Sequence, residues 1–224
     1  FKNFFIFFII FLFIYFTHIF CYIVSTFQIT RLEMKKILIG THNAGKFKEI
    51  AYLISKNYKK ISPVSLKIKS PKETGKSFIS NSKLKVRFFS KHVNYPVISD
   101  DSGLCIQALN NKPGIYSARL AKKHGGFAKA MKFILKKMKN KKNRKAIFVC
   151  SLSFKKNNGK IVSVEGRLKG NISNKIIGKK GFGYDPIFIP LKKKITFGQM
   201  LKTKKMKMDH RYIAFQKLKK KTRI

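Results

Sequence analysis

A chain of 224 residues can build one full domain with a sizeable core, or at most two small ones. Its 51 Lys and Arg against 8 Asp and Glu give a net charge of +43, which attracts nucleic acid or anionic membrane; yet the bases run from Lys35 to Arg223 and form no single basic tail, so most read as solvated surface. Three cysteines (Cys21, Cys105, Cys150) without paired spacing exclude a disulfide framework or a zinc site and fit a reducing compartment.

Residues 1–24 are almost purely apolar, which meets the requirement of about 20 apolar residues for a membrane-spanning helix. Arg31, Lys35 and Lys36 behind them would keep the remainder cytoplasmic. A cleaved signal peptide fits less well, because the run is long and no small-residue cleavage site follows it. The chain opens on Phe, and its first methionine is Met34, followed at once by the strand-like Lys35-Lys36-Ile37-Leu38-Ile39-Gly40. The expectation is that residues 1–33 are upstream read-through and 34–224 the working domain, with a native membrane anchor as the alternative.

After that strand comes Gly40-Thr41-His42-Asn43-Ala44-Gly45-Lys46-Phe47, then a helical pattern through Ile50, Leu53 and Ile54. A strand, a Gly-containing loop and a helix make an anion cradle, because the first helical N–H groups are unpaired and the dipole is positive there. The spacing matches the first part of a P-loop, but Phe47 stands where Ser or Thr would hold Mg²⁺. Phosphate contact by Thr41, Asn43 and Lys46 is expected, without P-loop NTPase chemistry; an ordinary capped helix start is the bland alternative. Ile61 to Ile68 alternates like a strand, and a helix is expected from Ser77 to His92. Asn81 and Lys85 share one face of that helix, and Lys85 either meets a phosphate or is solvated. Glu73 either pairs with neighbouring lysines or supplies a third metal-binding carboxylate.

Tyr95-Pro96-Val97-Ile98 reads as a buried strand ending at Asp100-Asp101, with Ser102-Gly103 as a sharp turn. Adjacent carboxylates repel unless a cation lies between them, and Mg²⁺ prefers such oxygen ligands. Turn chemistry alone is the competing reading of the pair. Residues 126–138 have amphipathic helical spacing. Residues 146–154 and 160–168 read as a hairpin. In Gly181-Phe182-Gly183-Tyr184-Asp185-Pro186, Phe182 or Tyr184 could stack on a base and Asp185 bond to it, unless the aromatics simply pack. Thr196 to Met200 is expected to open a short helix, and Lys202 to Lys220 to form a basic helical tail carrying Asp209-His210-Arg211. His210 and Arg211 beside Lys205 suit a polar, electron-rich ligand, since an arginine fork matches carbonyl or phosphate oxygens.

In this order and spacing, the 41–46 turn, Glu73-Thr74-Gly75, Asn81 with Lys85, Ser99-Asp100-Asp101-Ser102-Gly103-Leu104, Pro113 to Arg119, Gly181 to Phe188 and His210-Arg211 resemble the inosine triphosphate pyrophosphatase family, from Met34 to about Leu218. The resemblance implies an elongated α/β fold with a mixed central sheet, helices around it and a cleft between two lobes, usually as a cytoplasmic homodimer. It implies Mg²⁺-dependent hydrolysis of ITP, dITP and XTP to the monophosphate and pyrophosphate. Asp101 would then be the general base and a metal ligand, with Glu73 and Asp100 completing the metal site. Thr41, His42, Asn43, Ala44, Gly45, Lys46, Lys85 and Ser102 would hold the triphosphate. Phe182, Gly183, Tyr184 and Asp185 would hold the base, and Lys205, His210 and Arg211 would read its 6-oxo group. Departures fall at Gln199, at Lys202-Thr203-Lys204, where the family is acidic, at Asp209, where Ser is usual, and at Tyr212, where a small residue is common. Alternatives are a related pyrophosphatase with another base preference and a basic protein that binds nucleic acid non-specifically.

Overall fold

Ten consecutive residues, Val97 to Ile106, form the strand from which the sheet is built. The computed structural model describes residues 12–19 and 34–222. In chain order the elements are β1 (Lys35–Gly40), α1 (Ala44–Leu53), β2 (Tyr58–Ile61), α2 (Phe78–Phe89), β3 (Val97–Ile106), β4 (Lys112–Pro113), α3 (Ser117–Lys123), α4 (Phe127–Lys137), β5 (Lys145–Lys155), β6 (Val162–Ile172), β7 (Phe188–Pro190), α5 (Lys202–Lys205) and α6 (His210–Thr222). The sheet runs β2-β1-β3-β5-β6-β7, with β4 added to the far end of β3. β1 lies parallel to β3, while β4 and β5 lie antiparallel to it. This is the mixed, helix-flanked α/β sheet that the sequence leads one to expect.

β1 accompanies β3 only as far as Gly40 opposite Ser99, and β4 pairs only Cys105 and Ile106. Between those points one edge of β3 carries no strand, and Asp100 to Leu104 lie along that bare stretch. Successive strand residues point to opposite faces. Asp101 therefore faces α2, where Asn81 bonds to it, while Ser102 faces α6 and is met by Arg211. The α1 and α6 face is closed by Ile39, Ile50, Ile98, Leu152, Phe215 and Leu218. The α2 face is closed by Leu38, Val86, Phe89 and Val97. A third cluster, around Leu104, Ile134, Phe148, Phe188 and Phe197, packs the far end.

Five expectations change. The Asp pair is mid-strand rather than terminal, and Ser102-Gly103 is extended, not a turn. Gly103 is small because a Cβ there would lie 2.2 Å from the Gly114 carbonyl oxygen. Residues 62–68 are turns, because the Ser62 hydroxyl accepts from Ser65 N–H and the Pro63 carbonyl accepts from Leu66 and Ile68. Thr196 to Met200 is one turn, and the basic tail breaks between α5 and α6. The apolar run of 1–24 falls largely outside the described residues, as does the question of read-through or anchor; residues 12–19 form a short exposed helix. Among the described residues no helix is long and apolar enough to cross a membrane. Residues 1–35 and 36–224 divide into separate units.

α6 can lie flat on the sheet because β6 has a glycine beneath it. A Cβ on Gly166 would sit 2.3 Å from the His210 carbonyl oxygen and 2.4 Å from Ala214 N. Gly166→Ala should therefore lift the start of α6 and cost about 1–3 kcal/mol, the range for overpacking a close contact. Urea unfolding checks the loss.

Candidate active site

The site starts at the cap of α1. Asn43 Oδ1 accepts from Lys46 N at 3.0 Å, and Thr41 Oγ1 accepts from Asn43 N at 3.2 Å. The tight start leaves Lys46 over the bare edge of β3, with Nζ 3.1 Å from Asp100 Oδ2. One turn later Glu49 is buried. Its two oxygens accept from Lys205 Nζ at 2.8 Å and Arg211 Nη1 at 2.7 Å. Lys205 Nζ also donates to Asp185 Oδ2 at 2.5 Å, and Arg211 Nη2 donates to Ser102 Oγ at 2.9 Å. Three helices and the Gly181–Asp185 loop thus meet in one buried ionic lattice.

Asp100 belongs to this lattice. Burial pushes its carboxyl up, but Lys46, Lys85 and Arg211 outweigh that and bring it to about 2. It is ionised at neutral pH, and its Oδ1 is buried without a partner. Lys205 stays charged: burial lowers its pKa, and Asp185 and Glu49 more than restore it. His210 is held neutral by burial and by Arg211, Lys205 and Lys46 nearby. Its ring stacks on Phe148 at 4.7 Å. His210 Nδ1 and Arg211 Nε are buried without hydrogen-bond partners.

Asp101, on the α2 side, accepts from Asn81 Nδ2 at 3.0 Å and from Ser102 N at 2.9 Å. Burial raises its pKa and the Glu73 charge adds to the rise, against Lys46, Lys85 and the Asn81 bond. Lys85 Nζ donates to Glu73 Oε1 at 2.9 Å, so Lys85 is neither solvated nor free. Among the described residues no three His, Cys, Asp or Glu side chains are gathered to hold a metal ion. The donor set nonetheless suits a hard divalent ion. Mg²⁺ typically takes one or two carboxylates and completes its shell with water and substrate phosphate; Asp101 and Glu73 are close enough to feel each other's charge. Asp100, on the opposite face and tied to Lys46, stands apart from them.

Asn43, Lys46, Ser102, Phe182, Asp185 and Arg211 line one cavity of about 60 Å³. Phe182 closes it, its ring lying under Lys205 at 4.9 Å and Arg211 at 5.2 Å.

The Ham1 family model matches residues 37–221. A dITP/XTP pyrophosphatase from Caulobacter vibrioides is 40% identical over 186 residues, covering 82% of this chain and 96% of its own. One from Borreliella burgdorferi is 42% identical over 197 residues, covering 84% of this chain and 96% of its own. The solved Staphylococcus aureus Ham1 protein superposes with a TM-score of 0.75 at 34% identity, over 84% of this chain and 98% of its own. The chain belongs to the Ham1 family.

For this Ham1 chain, the structure brings Asn43, Lys46, Ser102, Gly183, Tyr184, Asp185, His210 and Arg211 to one cavity and Lys205 to its ionic floor. Gly45 supports the Phe182 ring. Thr41, His42 and Ala44 line a separate groove, and His42 Nε2 donates to the Ile68 carbonyl. Tyr184 is a wall: its hydroxyl donates to the Ser117 carbonyl at 2.9 Å and its ring meets Phe127 edge-on. Glu49 escaped the sequence reading. Its signal was an acid beside Ile50, on the apolar stripe of a helix, in a chain with eight acids.

Asp209 caps α6, accepting from Tyr212 N at 2.8 Å, while its Oδ2 is buried unpartnered. Burial and Glu49 raise its pKa to about 6, against Arg211 and Lys205. The folded state therefore holds this proton more tightly than the unfolded chain, and stability falls as pH rises from about 4 to about 6. Asp209→Asn, which keeps the capping oxygen, should remove that slope; urea melts of both proteins across the window check it.

Proposed function

We propose that this chain is a nucleoside triphosphate pyrophosphatase, its domain spanning residues 34–224, that hydrolyses dITP, XTP and ITP to the monophosphate and pyrophosphate. The observation that carries the proposal is Asp101: a buried carboxylate of raised basicity, fixed by Asn81, with Glu73 and Lys85 on one side and Lys46 on the other. The names of the relatives, dITP/XTP pyrophosphatase, give the substrate class.

Release of pyrophosphate requires attack at the α-phosphorus. Asp101 takes a proton from water, the water oxygen bonds to that phosphorus, and the α–β bridging oxygen leaves with pyrophosphate. A general base needs a pKa nearer the working pH than a free carboxylate has, and burial supplies it. Lys46 and Lys85 offset phosphate charge. Mg²⁺ held by Glu73 and Asp101 would supply Lewis-acid neutralisation of the phosphate oxygens. Asp100 keeps Lys46 and Arg211 in place.

Arg211 Nε, which lies 3.9 Å from Asp100 Oδ2, and His210 Nδ1 are buried without hydrogen-bond partners, and their residues line the cavity, so they are the groups to meet a base. A 6-oxo group accepts from such donors; a 6-amino group leaves them unpaired, a difference that selects strongly. The cavity, about 60 Å³, is smaller than a purine, and the Phe182 ring packed against Gly45 takes up part of the space beside it. The family resemblance extends the proposal to a cytoplasmic homodimer.

Pyrophosphate release should be fastest with dITP, XTP and ITP in a panel that includes ATP, GTP, dTTP and UTP. It should stop with chelator and fall about 10²–10⁴-fold in Asp101→Asn. Equal rates with ATP, or full activity of Asp101→Asn, would sink the proposal.

A further inference from the structure

Most of the described acidic side chains turn away from open solvent. Glu49, Asp100, Asp101, Asp185 and Asp209 are buried, and Glu73 and Glu165 are half-buried. The outer surface is a field of cations, and several aliphatic side chains are exposed on it: Val64 and Leu66 on the 62–68 turn, and four more on either side of β7. Ile176, Leu191, Ile195 and Leu201 are all exposed. They lie on two loops, 173–180 and 191–201, that are stitched together. Thr196 Oγ1 donates to the Ile177 carbonyl at 2.7 Å, and Lys180 N donates to that of Gly198 at 2.8 Å. Lys175, Lys179 and Lys180 stand exposed on the first loop, and Lys192, Lys193 and Lys194 on the second. The acid between the loops, Asp185, is turned inward onto Lys205.

We propose that these two loops form a docking surface for an anionic lipid bilayer. Aliphatic side chains interspersed with lysines on the same loops match the boundary between acyl chains and anionic headgroups: the apolar tips enter while the ammonium groups stay among the phosphates. The stitched loops are held before contact, so little ordering is lost on binding. Nucleic acid fits this patch less well. Non-specific single-strand binding relies on exposed aromatic rings for stacking, whereas Phe188 and Phe197 here are buried and Phe182 is folded over Gly45. The proposal does not depend on the pyrophosphatase reading, since none of these side chains serves the cavity.

The test uses residues 34–224, without the apolar stretch of residues 1–24. A protein of this extent folds alone, since the S. aureus structure is 98% covered by this part of the chain. Co-sedimentation with phosphatidylserine-containing vesicles should be strong and with pure phosphatidylcholine vesicles absent. Leu191→Ser with Ile195→Ser should weaken it about tenfold, and Lys192→Ser, Lys193→Ser and Lys194→Ser together should do at least as much. Pyrophosphate release and thermal melting should be unchanged in both variants. Three results overturn the proposal: no binding to anionic vesicles; binding indifferent to Leu191 and Ile195, which leaves only diffuse charge; or single-stranded RNA binding that depends on those two side chains as strongly as vesicle binding does.

Discussion

Neighbouring residues of an extended strand cannot face the same way, and the site follows from that constraint. Asp100 and Asp101 are adjacent in sequence, yet β3 delivers them to opposite sides of the sheet. Asp100 enters a nest of cations and becomes a permanently ionised anchor. Asp101 enters a setting where burial and a second carboxylate keep its proton affinity up. Carboxylates whose environments drive their pKa values apart take different chemical tasks. Between the end of β1 and the start of β4 the edge of β3 that carries both residues has no neighbouring strand.

The ionic lattice of Glu49, Lys205, Asp185 and Arg211 costs desolvation that its attractions barely recover, as buried ion pairs generally do. Its value lies in position. Arg211 is gripped at both ends of its fork, by Glu49 from α1 and Ser102 from β3. Lys205 is gripped by α1 and by the loop that carries Phe182. No member can shift without leaving a buried charge uncompensated, so helices far apart in sequence are held in one register. Gly166 lets α6 come close enough for this.

What could be read beforehand follows the range of each interaction. β1, α1, α4 and the β5–β6 hairpin rest on short-range periodicity, and their outlines were legible; β2, at Tyr58–Ile61, was not, because the alternation points to 61–68 instead. The 41–46 turn and the 181–185 loop were legible as chemistry because Gly, Asn and Asp punctuate them. The continuation of β3 through Ser102-Gly103 was not, because turn-forming residues there serve a contact with Gly114 that is fixed by tertiary approach. Residues 61–68 alternate like a strand, but Ser62 and Pro63 close local turns first. Glu49 and Lys205, 156 residues apart, form a pair that no local pattern announces.

A positive surface draws in any nucleotide and distinguishes none. At physiological salt its field fades over about 8 Å, so distant lysines assist the encounter and do little for the bound state. Within the site the charges that matter are those shielded from water: Lys46 at the edge, and Lys85 and Lys205 behind it. Scarce carboxylates hold them at fixed points: Lys46 on Asp100, Lys85 on Glu73, and Lys205 on Glu49 and Asp185. The drift to lysine on the outside is thus compatible with chemistry inside, since most of the described acids lie where they orient a buried cation or hold a proton, while Glu165 pairs with exposed Arg167.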